Sequence, residues 1–392
     1  MASPEFPPRP APRRWWVFPV LLVALAVAGM VFYAPKVKKT RLTGDNEEDY
    51  RETVDRNTLS TIFDPFLVTT SLGGNSYFCP VQFLVWLGMV RAFGLNTQYY
   101  FLIGILVHIA AALLLAVLAR SLLESDLAAM AAGSLFLFYF PHIDSVSFLC
   151  AVIAHGGAVA FALAAMIFFL RYLRRPRPAD YLASLACLIL ALMTKETSWS
   201  ILPVMMAADF LLFWPRERRR PTPLNLADFF NKYFPFLFAL LGIMTIFVLK
   251  YPTSTINRSW GGVSVSANVV FRFLDLFTML LVPQGLPVWA KLALVDGAIL
   301  GVYLVFTRGD ARLKLFTFWA MAGVAYYCLS NFRPSGELTR YLYMSSCPFA
   351  LALAYGIRWS RGRSWWSRAP LLGLPAVVLA VHLVVGVQKL WL

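Results

Sequence analysis

The chain has 392 residues, 59% hydrophobic and only 14% charged, with a net charge of +15 and a mean hydropathy of +0.65. A soluble domain carries about 25% charge and roughly 45–50% apolar residues, so a soluble globular protein, a disordered chain and a disulfide-rich secreted module are excluded. An outer-membrane barrel is disfavoured too, because its strands alternate apolar and polar residues whereas Val17–Tyr33, Phe101–Ala119 and Leu371–Val387 run apolar throughout. The expectation is an all-α polytopic membrane protein, one transmembrane domain over residues 1–392.

In chain order, residues 1–14 form a Pro-rich basic tail, read as cytoplasmic. Val17–Tyr33 reads as a retained first span, since the run is long and no A-x-A cleavage site follows it. Residues 35–80 are polar and read as an external acidic loop, with Asp45, Glu47, Glu48, Asp49, Glu52, Asp55 and Asp64. Val81–Phe93 is too short to span, and Gly94 is a helix stop, so residues 81–94 read as an interfacial helix. Ten further spans follow: Tyr99–Ala119, Leu127–Phe140, Val146–Tyr172, Tyr181–Met193, Ser198–Trp214, Tyr233–Lys250, Val288–Phe306, Leu315–Leu329, Tyr341–Ile357 and Leu371–Val387. That makes eleven in all, with Val269–Leu281 at the outer surface.

The charges support this alternation. Arg171, Arg174, Arg175 and Arg177, then Arg216, Arg218, Arg219 and Arg220, then Arg308, Arg312 and Lys314, then Arg358, Arg361, Arg363 and Arg368 all fall on one side. The positive-inside bias makes that side cytoplasmic. It also accounts for the net charge without a nucleic-acid partner. Lys36, Lys38, Lys39 and Arg41 run against the pattern. The N-terminus is therefore placed inside, and the setting expected is a bacterial inner membrane. Cys79, Cys150, Cys187, Cys328 and Cys347 show no CxxC spacing, so neither a metal knuckle nor a disulfide framework is implied.

Ionisable residues at membrane depth are functional candidates by default. Four groups stand out near the outer face. The first is Asp45-Asn46-Glu47-Glu48-Asp49, whose carboxylates suit a general base or a hard cation, or merely a solvated loop. The second is Pro141-His142-Ile143-Asp144, suited to positioning an acceptor, or a turn in which Asp144 caps the fourth span. The third is Lys195-Glu196. Neighbours on a helix point about 100° apart, so each should find a partner other than the other, and the lysine suits a phosphate. The fourth is Arg333, with Glu337-Leu338-Thr339-Arg340-Tyr341-Leu342-Tyr343, where two arginines suit a phosphate clamp or ion pairs to the acidic loop. His108 and His155 lie in apolar runs and read as packing residues.

The order of these features resembles the C-type membrane glycosyltransferases, and among them the protein O-mannosyltransferase-like group. Within that group it is similar to the transmembrane, tetratricopeptide-containing transferases and their bacterial relatives, here without the tetratricopeptide tail. The matching elements are an acidic pair before an Asn (Glu48-Asp49 with Asn57, or Asp45-Asn46), Tyr77-Phe78-Cys79-Pro80 closing at Phe93-Gly94, His108, Asp144, Lys195-Glu196 with Pro203, and Arg340-Tyr341-Leu342-Tyr343. Cys79 stands where the family has an arginine. The resemblance implies a transferase that moves a sugar from a polyprenyl-phosphate carrier to an acceptor hydroxyl, on a protein or a glycan, at the outer face with inversion. It places Arg340, Lys195 and Arg333 at the donor phosphate. Asp49, Asp45 or Asp144 is then the base, with Glu48, His142, Glu196 and Tyr341 in support. No cofactor is required, though the carboxylates leave room for a divalent cation. The alternative is a non-catalytic membrane subunit on the same scaffold that binds a larger membrane complex. A transporter would show inverted repeats and broken helices at the midplane, and none is legible.

Overall fold

A computed structural model describes residues 16–38, 42, 47, 50–51, 53–54, 58–63, 79–214, 223–250, 280, 288–328, 342–360 and 364–391, and among these every regular element is helical. The helices are α1 Val17–Val37, α2 Leu59–Phe63, α3 Pro80–Phe93, α4 Thr97–Leu123, α5 Asp126–Leu137, α6 Phe140–Ser147 and α7 Leu149–Arg174. They continue as α8 Pro178–Thr194, α9 Ile201–Ala208, α10 Pro223–Lys250, α11 Val288–Arg308, α12 Ala311–Cys328, α13 Tyr343–Trp359 and α14 Trp365–Trp391. Among the described residues five stretches are long and apolar enough to cross a membrane: α1, α4, α7, Ala227–Ile246 within α10, and Arg368–Trp391 within α14. The chain is an integral membrane protein. Helix also lies under the other expected spans, shorter than expected at Leu127–Phe140 and Ser198–Trp214 and as long or longer at the rest. The expected surface segment Val269–Leu281 lies outside the described residues except Leu280.

Three boundaries differ from expectation, for local reasons. The expected span Leu127–Phe140 ends at Leu137, and α6 starts at Phe140 with Pro141 in its first turn. Proline's fixed φ and missing N–H suit that place. Asp144 therefore sits inside α6 and is not the cap of the next span. That place falls to Phe148, whose backbone is extended (φ −110°, ψ 93°). The run Ser198–Trp214 is likewise not one helix. It is a 3₁₀ turn Glu196–Ser200, then α9, then a π-helical turn Asp209–Phe213.

In lipid no hydrophobic force drives helices together, so close packing of small residues does most of the work. Ala111, Ala112, Ala116 and Ala119 of α4 and Ala128, Ala129 and Ala132 of α5 are all fully buried. Gly133 allows a close approach of α1 and α4 to α5: a Cβ there would lie 2.9 Å from Leu25 of α1 and 3.0 Å from Ala116. The turn between α4 and α5 is tight. Glu124 adopts a left-handed conformation (φ 54°), and Ser125 caps α5 by accepting from the Ala128 N–H at 3.2 Å.

That turn gathers the basic groups. Arg120 pairs with Asp126 at 2.7 Å, and Glu124 meets Arg312 at 3.2 Å and Arg358 at 3.6 Å. Arg174 donates to the Ser121 hydroxyl and carbonyl, each at 2.7 Å. Three of the four expected basic clusters thus meet at the C-terminal end of α4. The opposite end, roughly 40 Å away for a 27-residue helix, carries Tyr50 of the acidic loop against Tyr100, with ring centroids 6.4 Å apart.

Candidate functional site

Between those ends, the α5–α6 connection is built around buried imidazoles and phenols. His108 of α4 is fully buried. Its Nε2 lies 3.0 Å from the Leu137 carbonyl and 3.3 Å from the Tyr33 hydroxyl, which itself donates to that carbonyl at 2.9 Å. Tyr343 Oη lies 2.9 Å from His108 Nδ1. The proton count closes for one neutral tautomer: Nε2–H donates to Leu137, and Nδ1 accepts from Tyr343. Every polar atom of this buried ring has a partner, as burial demands. The packing role read from sequence fits His108, but it packs by hydrogen bonds reaching three other elements.

His142 of α6 is a second such node, also fully buried. Its Nδ1 faces the Phe136 carbonyl at 2.9 Å and its Nε2 the Ser346 hydroxyl at 3.0 Å. Ser346 Oγ, which carries one proton, also lies 2.8 Å from the Tyr343 carbonyl. Burial first, and then the neighbouring His108, hold the His142 imidazole well below its ordinary pKa, so it is neutral. Its ring stacks on Tyr343, with centroids 4.0 Å apart. His382 of α14 closes the group. It stacks on Phe140 at 5.4 Å and accepts the Phe140 N–H at 3.5 Å. Lone His382 and Tyr33, inside apolar runs, gave no signal in the sequence.

Lys195 and Glu196 do pair with each other, Nζ to Oε1 at 3.0 Å, contrary to the helical argument. The reason is that α8 ends at Thr194. Lys195 is extended (φ −159°, ψ 137°) and Glu196 opens the 3₁₀ turn, so the 100° separation of a helix does not apply. The glutamate side chain is 3% exposed and the lysine 14%. Glu196 Oε2 has no hydrogen-bond partner among the described residues.

Two neighbouring glycines of α7 are approached by Tyr343 and by the end of α8. A Cβ on Gly156 would lie 3.6 Å from Tyr343 Cε1, and one on Gly157 would lie 3.4 Å from Thr194 Cγ2. His142 and Tyr343 therefore stack at the first turn of α13, and the end of α8 that leads into Lys195-Glu196 reaches the same stretch of α7 that Tyr343 touches. Of the acidic loop, Glu47 pairs with Arg51 one turn on, at 2.6 Å and well exposed. Asp45, Glu48, Asp49, Arg333, Arg340 and Tyr341 lie outside the described residues, as does the side chain of Asp144. Cys79 is buried in a small apolar cluster with Ile62, Phe83 and Leu87. Among the described residues no group of three His, Cys, Asp or Glu side chains could hold a metal ion.

An apolar cavity of about 390 Å³ opens beside this region, between α11, α12 and α13. Gly297, Gly301, Ala320 and Phe349 line it, together with Leu280. The Leu280 carbonyl accepts from Tyr139 Oη at 2.9 Å, which ties the cavity to the imidazole cluster. At the arginine-rich end the sequence reading missed a further charged group. Asp209, 3% exposed, accepts from Lys232 Nζ at 2.7 Å and Tyr233 Oη at 2.9 Å. An aspartate inside the run Ser198–Trp214 was itself the signal.

No protein-family model matches the chain, and no curated protein matches it in sequence. Solved structures do. The apo oligosaccharyltransferase of Archaeoglobus fulgidus superposes with a TM-score of 0.58 at 16% identity, over 96% of this chain and 56% of that one. The same enzyme, AglB, in complex with an inhibitory peptide and a dolichol-phosphate gives 0.58 at 15% identity, over 96% and 56%. ArnT from Cupriavidus metallidurans, bound to undecaprenyl phosphate, gives 0.54 at 16% identity, over 93% of this chain and 64% of that one. The chain has the C-type glycosyltransferase fold. It spans a little over half the length of the archaeal oligosaccharyltransferase.

Proposed function

We propose that the chain is a membrane glycosyltransferase that takes a sugar from a polyprenyl-phosphate carrier. It transfers that sugar, with inversion, to an acceptor hydroxyl on a protein or glycan at the outer face of a bacterial inner membrane, with the N-terminus inside. The observation that carries this is the fold shared over nearly the whole chain with two proteins, one holding dolichol-phosphate and the other undecaprenyl phosphate. The apolar cavity between α11, α12 and α13 suits the carrier's tail. Arg340 and Arg333 would take the phosphate, with Lys195 swinging from Glu196 toward it, and their charge would stabilise the leaving phosphate as it forms. Asp49, with Asp45 and then Asp144 as runners-up, would accept the acceptor's proton. Glu48, His142, Glu196 and Tyr341 would support this arrangement. No cofactor is required, and a divalent cation would draw on the loop carboxylates for ligands.

The test begins with lipid mass spectrometry of the purified protein, where a co-purifying polyprenyl phosphate is expected. Arg340→Lys should lose most of that lipid, because the planar fork is gone although the charge remains. Asp49→Asn should retain the lipid and lose about 10²–10⁴-fold in turnover, the range for a general base. Protein that carries no such lipid, and takes none up, sinks the reading.

A second reading is a non-catalytic subunit of a larger membrane complex. Cys79 favours it: the residue where the family has an arginine is buried among Ile62, Phe83 and Leu87, and offers no charge to a phosphate. Full lipid binding with no transfer to any acceptor would select it.

A further inference from the structure

The first turns of α10 carry a carboxylate that the bundle leaves to the surface. Asp228 and Lys232 are one helical turn apart, the spacing at which an aspartate and a lysine ordinarily meet. Lys232 instead gives its ammonium to the buried Asp209 at 2.7 Å. Asp228 is exposed, and no cation among the described residues pairs with it.

Both residues line a groove of about 950 Å³ at the arginine-rich end, between the end of α7, the start of α8, the π turn after α9 and α10. Tyr172, Tyr181, Trp214 and Phe229 supply its aromatic walls. The Tyr181 hydroxyl donates to the Lys232 carbonyl at 2.8 Å, and the Tyr172 and Tyr181 rings meet edge to face with centroids 5.1 Å apart. These contacts hold the walls in place. The exposed Arg175 and Arg177 flank Pro176 and Pro178 of the lining. Arg171 is paired with Asp180 at 3.3 Å, and Arg174 is spent on Ser121.

The depth of the groove points to lipid. The apolar stretch of α10 begins at Ala227, so Asp228 and Lys232 lie where the hydrocarbon core gives way to headgroups, the level at which Trp and Tyr collect. Just beyond them α8 and α10 expose Leu182, Phe234 and Phe238, an apolar track for acyl chains. A purely anionic headgroup would meet the charge of Asp228, and a purely cationic occupant that of Arg175 and Arg177. A zwitterion satisfies both.

We propose that this groove binds a phospholipid with a zwitterionic amine headgroup, of the phosphatidylethanolamine type. The amine sits on Asp228 among the aromatic rings, whose faces attract an ammonium. The phosphate takes the guanidinium forks of Arg175 and Arg177, together with the Lys232 N–H groups that Asp209 leaves over, since an ammonium has three donors. Two carbons join amine and phosphate in that headgroup, so its charges lie within about 5.4 Å, one helical turn, which is the step from Asp228 to Lys232. The bound lipid ties the α7–α8 connection to α10. The inference rests on this groove and is independent of the proposed transfer chemistry.

The experiment is native mass spectrometry of the full chain, delipidated in detergent and titrated with phosphatidylethanolamine or phosphatidylglycerol of identical acyl chains. Phosphatidylethanolamine should bind more tightly. Asp228→Asn should weaken it about threefold to fivefold, the range of an exposed ion pair, and should not weaken phosphatidylglycerol. Arg175→Gln with Arg177→Gln should weaken both lipids. All three side chains are exposed, so folding is not at stake. A photoactivatable phosphatidylethanolamine should crosslink within residues 172–182 and 228–238. Equal or tighter binding of phosphatidylglycerol overturns the proposal, and so does an Asp228→Asn variant that binds phosphatidylethanolamine as the parent does. Displacement of the lipid by an equal concentration of soluble phosphoethanolamine, or crosslinks confined to other helices, overturns it as well.

Discussion

The Tyr343 ring stacks on the His142 imidazole at 4.0 Å, with 20° between the planes. The same tyrosine's hydroxyl meets His108 Nδ1 at 2.9 Å. One side chain at the start of α13 thereby joins α4 and α6. Tyr343→Phe keeps the stack and removes the donor, leaving a buried ring nitrogen unsatisfied at a cost of about 1–3 kcal/mol. The thermal midpoint in detergent should fall. His108→Ala placed on top of Tyr343→Phe should then cost less than it does in the parent, since the nitrogen is already orphaned. Additive losses would show that the contact contributes nothing.

Lys195 and Glu196 make a second prediction. The glutamate is 3% exposed and has one modest partner, so Lys195→Gln leaves a nearly buried carboxylate uncompensated. Removing one member of a buried pair costs about 3–5 kcal/mol, whereas replacing both is far milder. The double variant Lys195→Gln with Glu196→Gln should unfold at a higher temperature than Lys195→Gln alone. The reverse order would mean that the lysine is not what holds the glutamate.

The sequence made the bundle legible because long apolar runs need few other cues, and the arginine clusters sorted its two ends. It fared less well where backbone departs from α-helix. Nothing in Val146–Tyr172 flagged the break at Phe148, because an apolar run has no period to interrupt. The Lys195–Glu196 argument failed because it assumed a helix through a residue that is extended. The candidate groups were chosen for charge, and that reasoning picked out His142, Lys195 and Glu196. It passed over Tyr33 and His382, whose partners are far away in sequence: Tyr33 bonds across 104 residues and His382 across 242. Asp209 was visible by the same rule that selected the others, and only its position in a run taken as one helix hid it.

Acid should weaken the fold through His142. Its folded-state pKa lies well below the ordinary value, with burial the main cause. The unfolded chain takes up a proton near pH 6.5 and the folded chain does not, so unfolding binds protons there and stability rises with pH. The midpoint should fall as pH is lowered from about 7.5 through 6.5. His142→Gln keeps an N–H for the Phe136 carbonyl and cannot titrate. It should flatten that slope, and an unchanged slope would assign the effect to other groups.

The apolar cavity offers a way to separate the carrier's tail from its phosphate. Gly301 lines the cavity, and a Cβ built there meets nothing within 4 Å. Gly301→Leu should therefore fold normally while filling space that the proposed function gives to a polyprenyl chain. Gly242 of α10 is an internal control, since its Cβ position is equally open and it does not line the cavity. If the tail lies between α11, α12 and α13, Gly301→Leu should lower the affinity for added undecaprenyl phosphate about tenfold, equivalent to about 1.4 kcal/mol. It should lower the affinity for undecaprenol by the same factor, because both share the tail. Gly242→Leu should change neither. Arg340→Lys should weaken only the phosphate form. Equal binding by the Gly301→Leu and parent proteins would place the tail elsewhere and leave the cavity as a packing defect.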